Sequence, residues 1–178
     1  MDGFPENNIV RNIPPHDDAA EKSVLGAMLL DRDAIIAASE VLTGEDFYNR
    51  IYGIVFDAMV ELEQAGKPVD LVTLQSKLRE KNVAPEVSDL RYAQELIGTV
   101  PTSANIKEYC RIVSEKSVLR RLIHASEEIT GECYRDATAV DEILEKTEKS
   151  IFDLVQNRNT EDLVPIRKVV ENALDKIE

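Results

Sequence analysis

PTSANIKEYCRIVSEKSVLRRLIHASEEI, the stretch from Pro101 to Ile129, decides how this chain folds, because a helix running through it changes its apolar face halfway along. Pro101 precedes the helix, where a missing N–H is harmless, and Ser103 is read as the N-cap. At ~100° per residue, Ile106, Tyr109, Cys110 and Val113 fall on one side. Val118, Leu122, Ala125 and Ile129 fall on roughly the opposite side. Arg120, Arg121 and His124 then occupy the side where the first stripe lay. A helix with one partner needs one stripe. This one is expected to rest on a globular body with its first half and to leave that body with its second. From about Ala104 to Tyr134 it would run ~45 Å.

Upstream, helical signals recur and no segment reads as a strand. Asp18 followed by Glu21 is an Asp-led capping box, opening a helix with Val24, Leu25, Met28 and Leu29 inward. A short helix follows from Asp33 to Val41, then a break at Thr43-Gly44 and a single turn from Glu45 to Tyr48. Asn49 caps a stronger helix carrying Ile51, Val55, Met59 and Leu62. Gly66 suits the left-handed position after its end, and Pro68 prevents continuation. Asp70 caps the next helix, with Val69 and Leu74 as a hydrophobic staple. Ser88 or Asp89 opens a sixth, carrying Leu90, Ala93, Leu96 and Ile97 and ending at Gly98. The expected class is all-α. Residues 1–15 form a flexible lead-in and residues 16–100 a globular six-helix head.

Downstream, Asp136 to Thr138 makes a turn into a second long helix. There Val140, Ile143, Leu144, Thr147, Ile151, Leu154 and Val155 share one face. Two long helices with a short turn make an antiparallel hairpin, here over residues 101–156. Leu119 and Ile123, with Ile112 below them, lie beside its seam and look surplus to it. They either pack within the chain or contact a subunit or partner. Gln156 to Asp162 (QNRNTED) reads as a linker. Beyond it, Ile166, Val169, Val170, Ala173, Leu174 and Ile177 form an amphipathic helix within residues 157–178. A helix this short is marginal alone, so its stripe needs a partner, and another chain is the expected one.

Of 178 residues, 34 are Asp or Glu and 21 are Lys or Arg, a formal net charge of −13. Gripping duplex DNA requires neutralising phosphates with a basic surface, so this chain is not expected to bind DNA by itself. No apolar run reaches the ~18 residues that suggest a membrane span. The N-terminus lacks the basic and apolar regions of a signal peptide. Cys110 and Cys133 lie on one predicted helix, ~35 Å apart, and cannot pair within the chain. Their isolation suits a reducing cytoplasm and argues against zinc.

Catalytic signatures are missing. There is no GxxxxGK[ST] loop, HExxH, EF-hand loop or GxSxG elbow. Asp17-Asp18 is a helix start rather than an acid–base pair. His16 and His124 are read as surface histidines rather than ligands. Arg120-Arg121 is read as a solvated face or a local pair with Glu127 and Glu128, against the alternative of an acidic partner or phosphate. Tyr92, beside Arg91, is either a core ring or an exposed interface anchor.

Five blocks, taken in order, resemble a known family: AAEKSVLGAMLLD (Ala19–Asp31), DFYNRIYGIVFDAM (Asp46–Met59), KPVDLVTL (Lys67–Leu74), VPTSANI (Val100–Ile106) and YCRIVSEKSVLRRLI (Tyr109–Ile123). They are similar to the N-terminal part of the bacterial replicative DNA helicase, the DnaB-type hexamer. The similarity covers nearly all of the chain from Ile13 onward. It implies a 5′-to-3′ helicase whose RecA-like ATPase domain, with its ATP and Mg, is not in these residues, so that this portion is non-catalytic. It further implies a cytoplasmic role at the replication fork. The N-terminal domains would form a collar in a homo-hexamer, paired through the hairpins, and would dock primase. Alone, this portion would form a dimer or associate weakly. A helicase loader and single-stranded DNA would be partners of the full protein. Subunit or primase contacts are expected at Ile112, Leu119 and Ile123, with Tyr92 and Ile129 added by the resemblance. Ile166, Val169, Val170, Leu174 and Ile177 would seat the linker helix on a neighbouring ATPase domain. Two departures stand out: Ser88-Asp89 replaces a usual Gly-Gly pair, and Tyr52 replaces a common histidine. The competing reading is a free-standing helical interaction adaptor.

Overall fold

The computed structural model describes residues 13–81, Leu96, Gly98, residues 102–135 and residues 139–159. Within them the chain forms six α-helices and two 3-10 turns, with no strand among the described residues. Four helices build the head: α1 (Asp18–Leu30), α2 (Arg32–Ser39), α3 (Arg50–Gln64) and α4 (Leu71–Glu80). The 3-10 turn Gly44–Asp46 joins α2 to α3, and the turn Ser103–Asn105 leads into α5 (Ile106–Arg135), which α6 (Val140–Asn159) follows. The sixth predicted helix and the Asp136–Thr138 turn fall mostly outside the described residues. Leu96, fully buried in the head, and Gly98 are both helical.

Asp and Asn caps set the helix starts. Asp17 accepts from Ala20 N, Asp31 from Asp33 N, Asn49 from Ile51 N, and Asp70 from both Val72 N and Thr73 N. Each supplies an acceptor for an amide that the helix cannot satisfy. Of the expected staple, Leu74 belongs to the core cluster and Val69 packs against it, half-buried. Gly66 adopts φ +66°, the left-handed stop expected after α3.

The caps also correct three expectations. Asp17, not Asp18, caps α1, so Glu21 falls one position too late to close a capping box. It turns inward, almost fully buried, and accepts from Tyr48 N at 2.8 Å and Asn49 N at 3.2 Å. Those amides lead into α3 and have no helical acceptor of their own. Ser103 does not cap the long helix either. Thr102 caps the 3-10 turn, and Ser103 Oγ donates to Asp31 Oδ2 at 3.0 Å, tying the start of α5 to the α1–α2 junction. At the other end, α6 persists through Gln156–Asn159, where a linker was expected. Those four residues include no Gly or Pro to stop it.

The head core is filled by Leu25, Met28, Ile35, Phe56 and Met59, with Phe47 tilted against Phe56 at a centroid distance of 5.2 Å. On α3, Tyr52 and Phe56 join Val55, Met59 and Leu62 inside, while Ile51 is exposed. Ile51 sits in the first turn of α3. Gly53 marks a close approach: a Cβ there would lie 2.2 Å from the Gly44 carbonyl oxygen. The turn before α3 therefore packs directly on that helix, with Asp57 Oδ1 accepting from Gly44 N at 3.0 Å.

Candidate partner-binding surface

At ~100° per residue, α5 carries three faces about 120° apart. The first carries Ile106, Cys110 and Val113, all buried against α1 and α2. Ile112 and Tyr109 also pack on this core, half-buried. Ile112 is thus held against the head about two turns below Leu119 and three below Ile123.

The same face then continues in polar form, where sequence placed a solvated pair of arginines. Ser117 Oγ donates to Asp46 Oδ1 at 2.7 Å, and Arg121 Nη2 reaches the same oxygen at 2.5 Å. The other oxygen, Oδ2, accepts from Thr43 N and Thr43 Oγ1. Arg120 Nη2 donates to the Asp46 carbonyl, and its Nη1 donates to the Pro15 carbonyl at 2.8 Å. The guanidinium lies 6.0 Å from the Tyr48 ring centroid, and His16 stacks on that ring at 4.1 Å. Burial lowers the Arg120 pKa, and the nearby Glu21 and Asp46 charges work against that shift. Asp46 and Glu21 are buried carboxylates with every hydrogen bond directed at a named donor, which is what such burial requires. The long helix therefore stays on the head for two turns longer than its apolar stripe suggested. Pro15, at the end of the expected lead-in, is held at this junction through its carbonyl. His124 points outward, 3.6 Å from Glu128, and His16 makes a stacked contact.

The second face meets α6. Ala125 is buried, Val118 and Ile129 are half-buried, and Ile143, Thr147 and Leu154 are half-buried on α6. Periodicity predicts one apolar face on α6, but only part of it is shielded: Val140, Leu144, Ile151 and Val155 remain exposed, as does Phe152.

Among the described residues, nothing covers the third face. Leu119 and Ile123 are 44 % and 42 % exposed, and together with Leu122, Ser126 and Thr130 they line an open groove of about 600 Å³. Pro15 and Tyr134 also line it. Its aliphatic hydroxyls bond within the helix: Ser126 Oγ donates to Leu122 O at 2.8 Å, and Thr130 Oγ1 donates to Ser126 O at 2.7 Å. What the groove offers a partner is therefore mainly apolar surface, with small side chains that allow close helix approach and with Glu127 at its border.

The structure brings Leu119 and Ile123 together here and leaves Ile129 on the seam. Leu122, assigned by periodicity to the seam, is 38 % exposed and lines the groove. It lies ~60° from Leu119 and ~40° from Val118 around the helix, on the border between faces. Ser126, Thr130 and Tyr134 were overlooked in the sequence. The signal was present as the 4-3-4 spacing of Leu119, Ile123, Ser126 and Thr130, which an apolar-only count misses. Tyr92 and the stripe Ile166, Val169, Val170, Leu174 and Ile177 lie outside the described residues. Among the described residues no group of His, Cys, Asp and Glu is placed to hold a metal, and no helix is long and apolar enough to cross a membrane.

Comparison with known proteins gives this chain a family. Residues 13–115 match the family described as DnaB-like helicase N terminal domain. The chain is 39 % identical over 166 residues to the replicative DNA helicase DnaC of Bacillus subtilis (strain 168), covering 93 % of this chain and 37 % of that protein. It thus spans little more than a third of that curated relative's length. Among solved structures, the N-terminal domain of DnaB helicase from Mycobacterium tuberculosis is 38 % identical with a TM-score of 0.75, covering 79 % of this chain and 99 % of that one. The N-terminal domain of DnaB helicase from Helicobacter pylori, described together with its interactions with primase, shares the fold at 22 % identity and a TM-score of 0.58, over 65 % of this chain and 90 % of that one. This chain belongs to the DnaB-like helicase N-terminal domain family.

Proposed function

We propose that this chain is the collar portion of a replicative hexameric 5′-to-3′ helicase, assembling subunits and docking primase through the third face of α5. The observation that carries this reading is the groove at Leu119 and Ile123. Two faces of α5 are committed to the head and to α6, while the third holds apolar side chains with nothing in the chain's described residues to cover them. Fully burying each such side chain is worth ~1.5–3 kcal/mol, so a partner that covers the groove gains affinity from it. The Helicobacter domain, described with primase, supports primase as one occupant; a second hairpin is the other.

On this reading residues 16–100 form the head, 101–156 the hairpin and 157–178 the connection to a motor portion. ATP and Mg2+ are used by that motor portion, together with single-stranded DNA and a loader, at the replication fork in the cytoplasm. Ile166, Val169, Val170, Leu174 and Ile177 seat the connecting helix on the neighbouring motor, and Tyr92, Ile112 and Ile129 flank the collar contacts.

The test uses Leu119→Asp. Light scattering should show weak, concentration-dependent self-association of the parent chain and a clear loss of it in the variant. Calorimetric titration with the cognate primase C-terminal domain should give heat that the variant reduces at least tenfold in affinity. A strict monomer at high concentration, together with no heat at tens of micromolar primase, would sink the reading. For the larger assignment, the codons after Glu178 in the parent gene should continue in frame to a Walker motif; an immediate stop favours the adaptor.

A further inference from the structure

Among the described residues that line the α5 groove, Pro15 alone comes from outside that helix. A proline has no N–H, so its backbone can be anchored only through its carbonyl. Arg120 Nη1 donates to that carbonyl at 2.8 Å, while Nη2 of the same guanidinium donates to the Asp46 carbonyl. One planar fork thus ties residue 15 to residue 46. The flanking residues are fixed as well. His16 stacks on Tyr48 at 4.1 Å, and its Nδ1 donates to the Pro14 carbonyl at 2.8 Å. Tyr48 is in turn held by its own N–H, which donates to buried Glu21 at 2.8 Å.

Arg120 follows Leu119 in sequence, ~100° further round the helix. Leu119 lines the groove, and Arg120 reaches back to the head. Holding Pro15 by its carbonyl therefore sets the proline ring at the groove's head-proximal end, level with Leu119. From there to Tyr134 is fifteen residues, ~22 Å or about four helical turns. A ring fixed at one end of that length gives a docking helix a stop. It also offers apolar surface with little conformational entropy left to lose, since the proline backbone is already restricted.

We infer that Arg120 is a positioning residue for the groove: by holding the Pro15 carbonyl it seats the proline ring as an end wall, against which an apolar partner helix of about four turns takes its register. This rests on the reading of the groove as a partner-binding face. Arg120 acts through Pro15 and does not itself touch the partner.

Variants of the full chain, titrated calorimetrically with the cognate primase C-terminal domain, test this. Arg120→Met removes both donors and keeps an apolar stem, whereas Pro15→Gly keeps the carbonyl and removes the ring. Each should weaken primase binding by about five- to tenfold. Combined, they should weaken it no more than either alone, because both remove the same wall. Asp46→Ala disrupts the junction but leaves the backbone carbonyl for Arg120, so affinity should stay within about twofold. A merely structural arginine would instead make affinity follow the urea midpoint across the set. In the free chain, nuclear Overhauser contacts between the Pro15 ring and the methyls of Leu119 or Leu122 should be present, and Arg120→Met should abolish them. Unchanged affinity in Arg120→Met, additive losses in the double variant, losses that track the urea midpoint, or ring–methyl contacts that survive Arg120→Met would each overturn the inference. Pro15→Gly breaks no hydrogen bond, so it decides the matter if Arg120→Met fails to fold: unchanged affinity there overturns the inference too. The two readings fail separately. If Leu119→Asp removes primase binding while Arg120→Met and Pro15→Gly do not weaken it, the groove stands and the positioning role falls. If the parent chain gives no heat with primase, the partner-binding reading falls and takes the positioning role with it.

Discussion

The head and the distal hairpin are both built from helices, yet they differ in what their apolar faces touch. In the head, α1 packs at once on α2, α3 and α5, and side chains such as Leu25, Ile35 and Phe56 lose nearly all contact with water. In the hairpin, α6 has one neighbour among the described elements, and Ile151, Phe152 and Val155 stay exposed. Burial, not helix propensity, separates a stable body from an arm that depends on what it meets. The polar junction at Asp46 sits between the two, and it is there that the head sets the direction of the arm.

The largest expected effect compares one phenylalanine in each region. Phe56→Ala should lower stability by about 3–5 kcal/mol through a cavity in the head, whereas Phe152→Ala should stay within about 0.5 kcal/mol. Urea unfolding followed by circular dichroism measures both. Comparable losses would mean that the arm is as tightly packed as the head, and the contrast would collapse.

Smaller, but informative about the join, is Asp46→Ala. It leaves Ser117 Oγ and Arg121 without their shared acceptor and frees the backbone of Thr43. A cost of about 2–4 kcal/mol is expected, below a fully buried ion pair because Arg121 is partly solvated. If the urea midpoint barely moves, the apolar stripe alone holds α5 to the head.

The smallest effect contrasts the two thiols on one helix. Cys110 is buried in the head-facing stripe, and burial alone pushes its thiol up to about 12; Cys133 is exposed near the far end. An aromatic disulfide reagent at neutral pH should label Cys133 rapidly and Cys110 only on unfolding. The folded-state value lies above the unfolded one of ~8.5, so Cys110's contribution is fully present below pH ~8.5. As pH rises from there towards 12, the unfolded thiol ionises first and that contribution is lost. A Cys110→Ala chain should show a shallower decline over the same window.

Much of this was readable in the chain. Asp70, Asn49 and Gly66 stand where short-range rules put them, because capping and left-handed stops depend on neighbours within a few residues. The apolar stripe of Ile106, Cys110 and Val113 and the surplus character of Leu119 and Ile123 follow from the helical period alone. Arg120 and Arg121 could not be read this way. Their partners, Pro15 and Asp46, are 105 and 75 residues away in sequence, and an arginine on a helix looks the same whether it meets water or a buried carboxylate. Glu21 was misassigned for the same reason, its acceptor role lying 27 residues downstream at Tyr48.

Sequence by itself determined the all-helical class, the division into a many-partnered head and a long arm, and the apolar faces of that arm. Those features are periodic or local, and each is encoded within one or two helical turns. Only the tertiary structure decided which faces are covered. Burial is set by what the fold brings alongside, so it took the packed head to turn two arginines into a clamp and to leave the Leu119–Ile123 groove open with Pro15 at its rim.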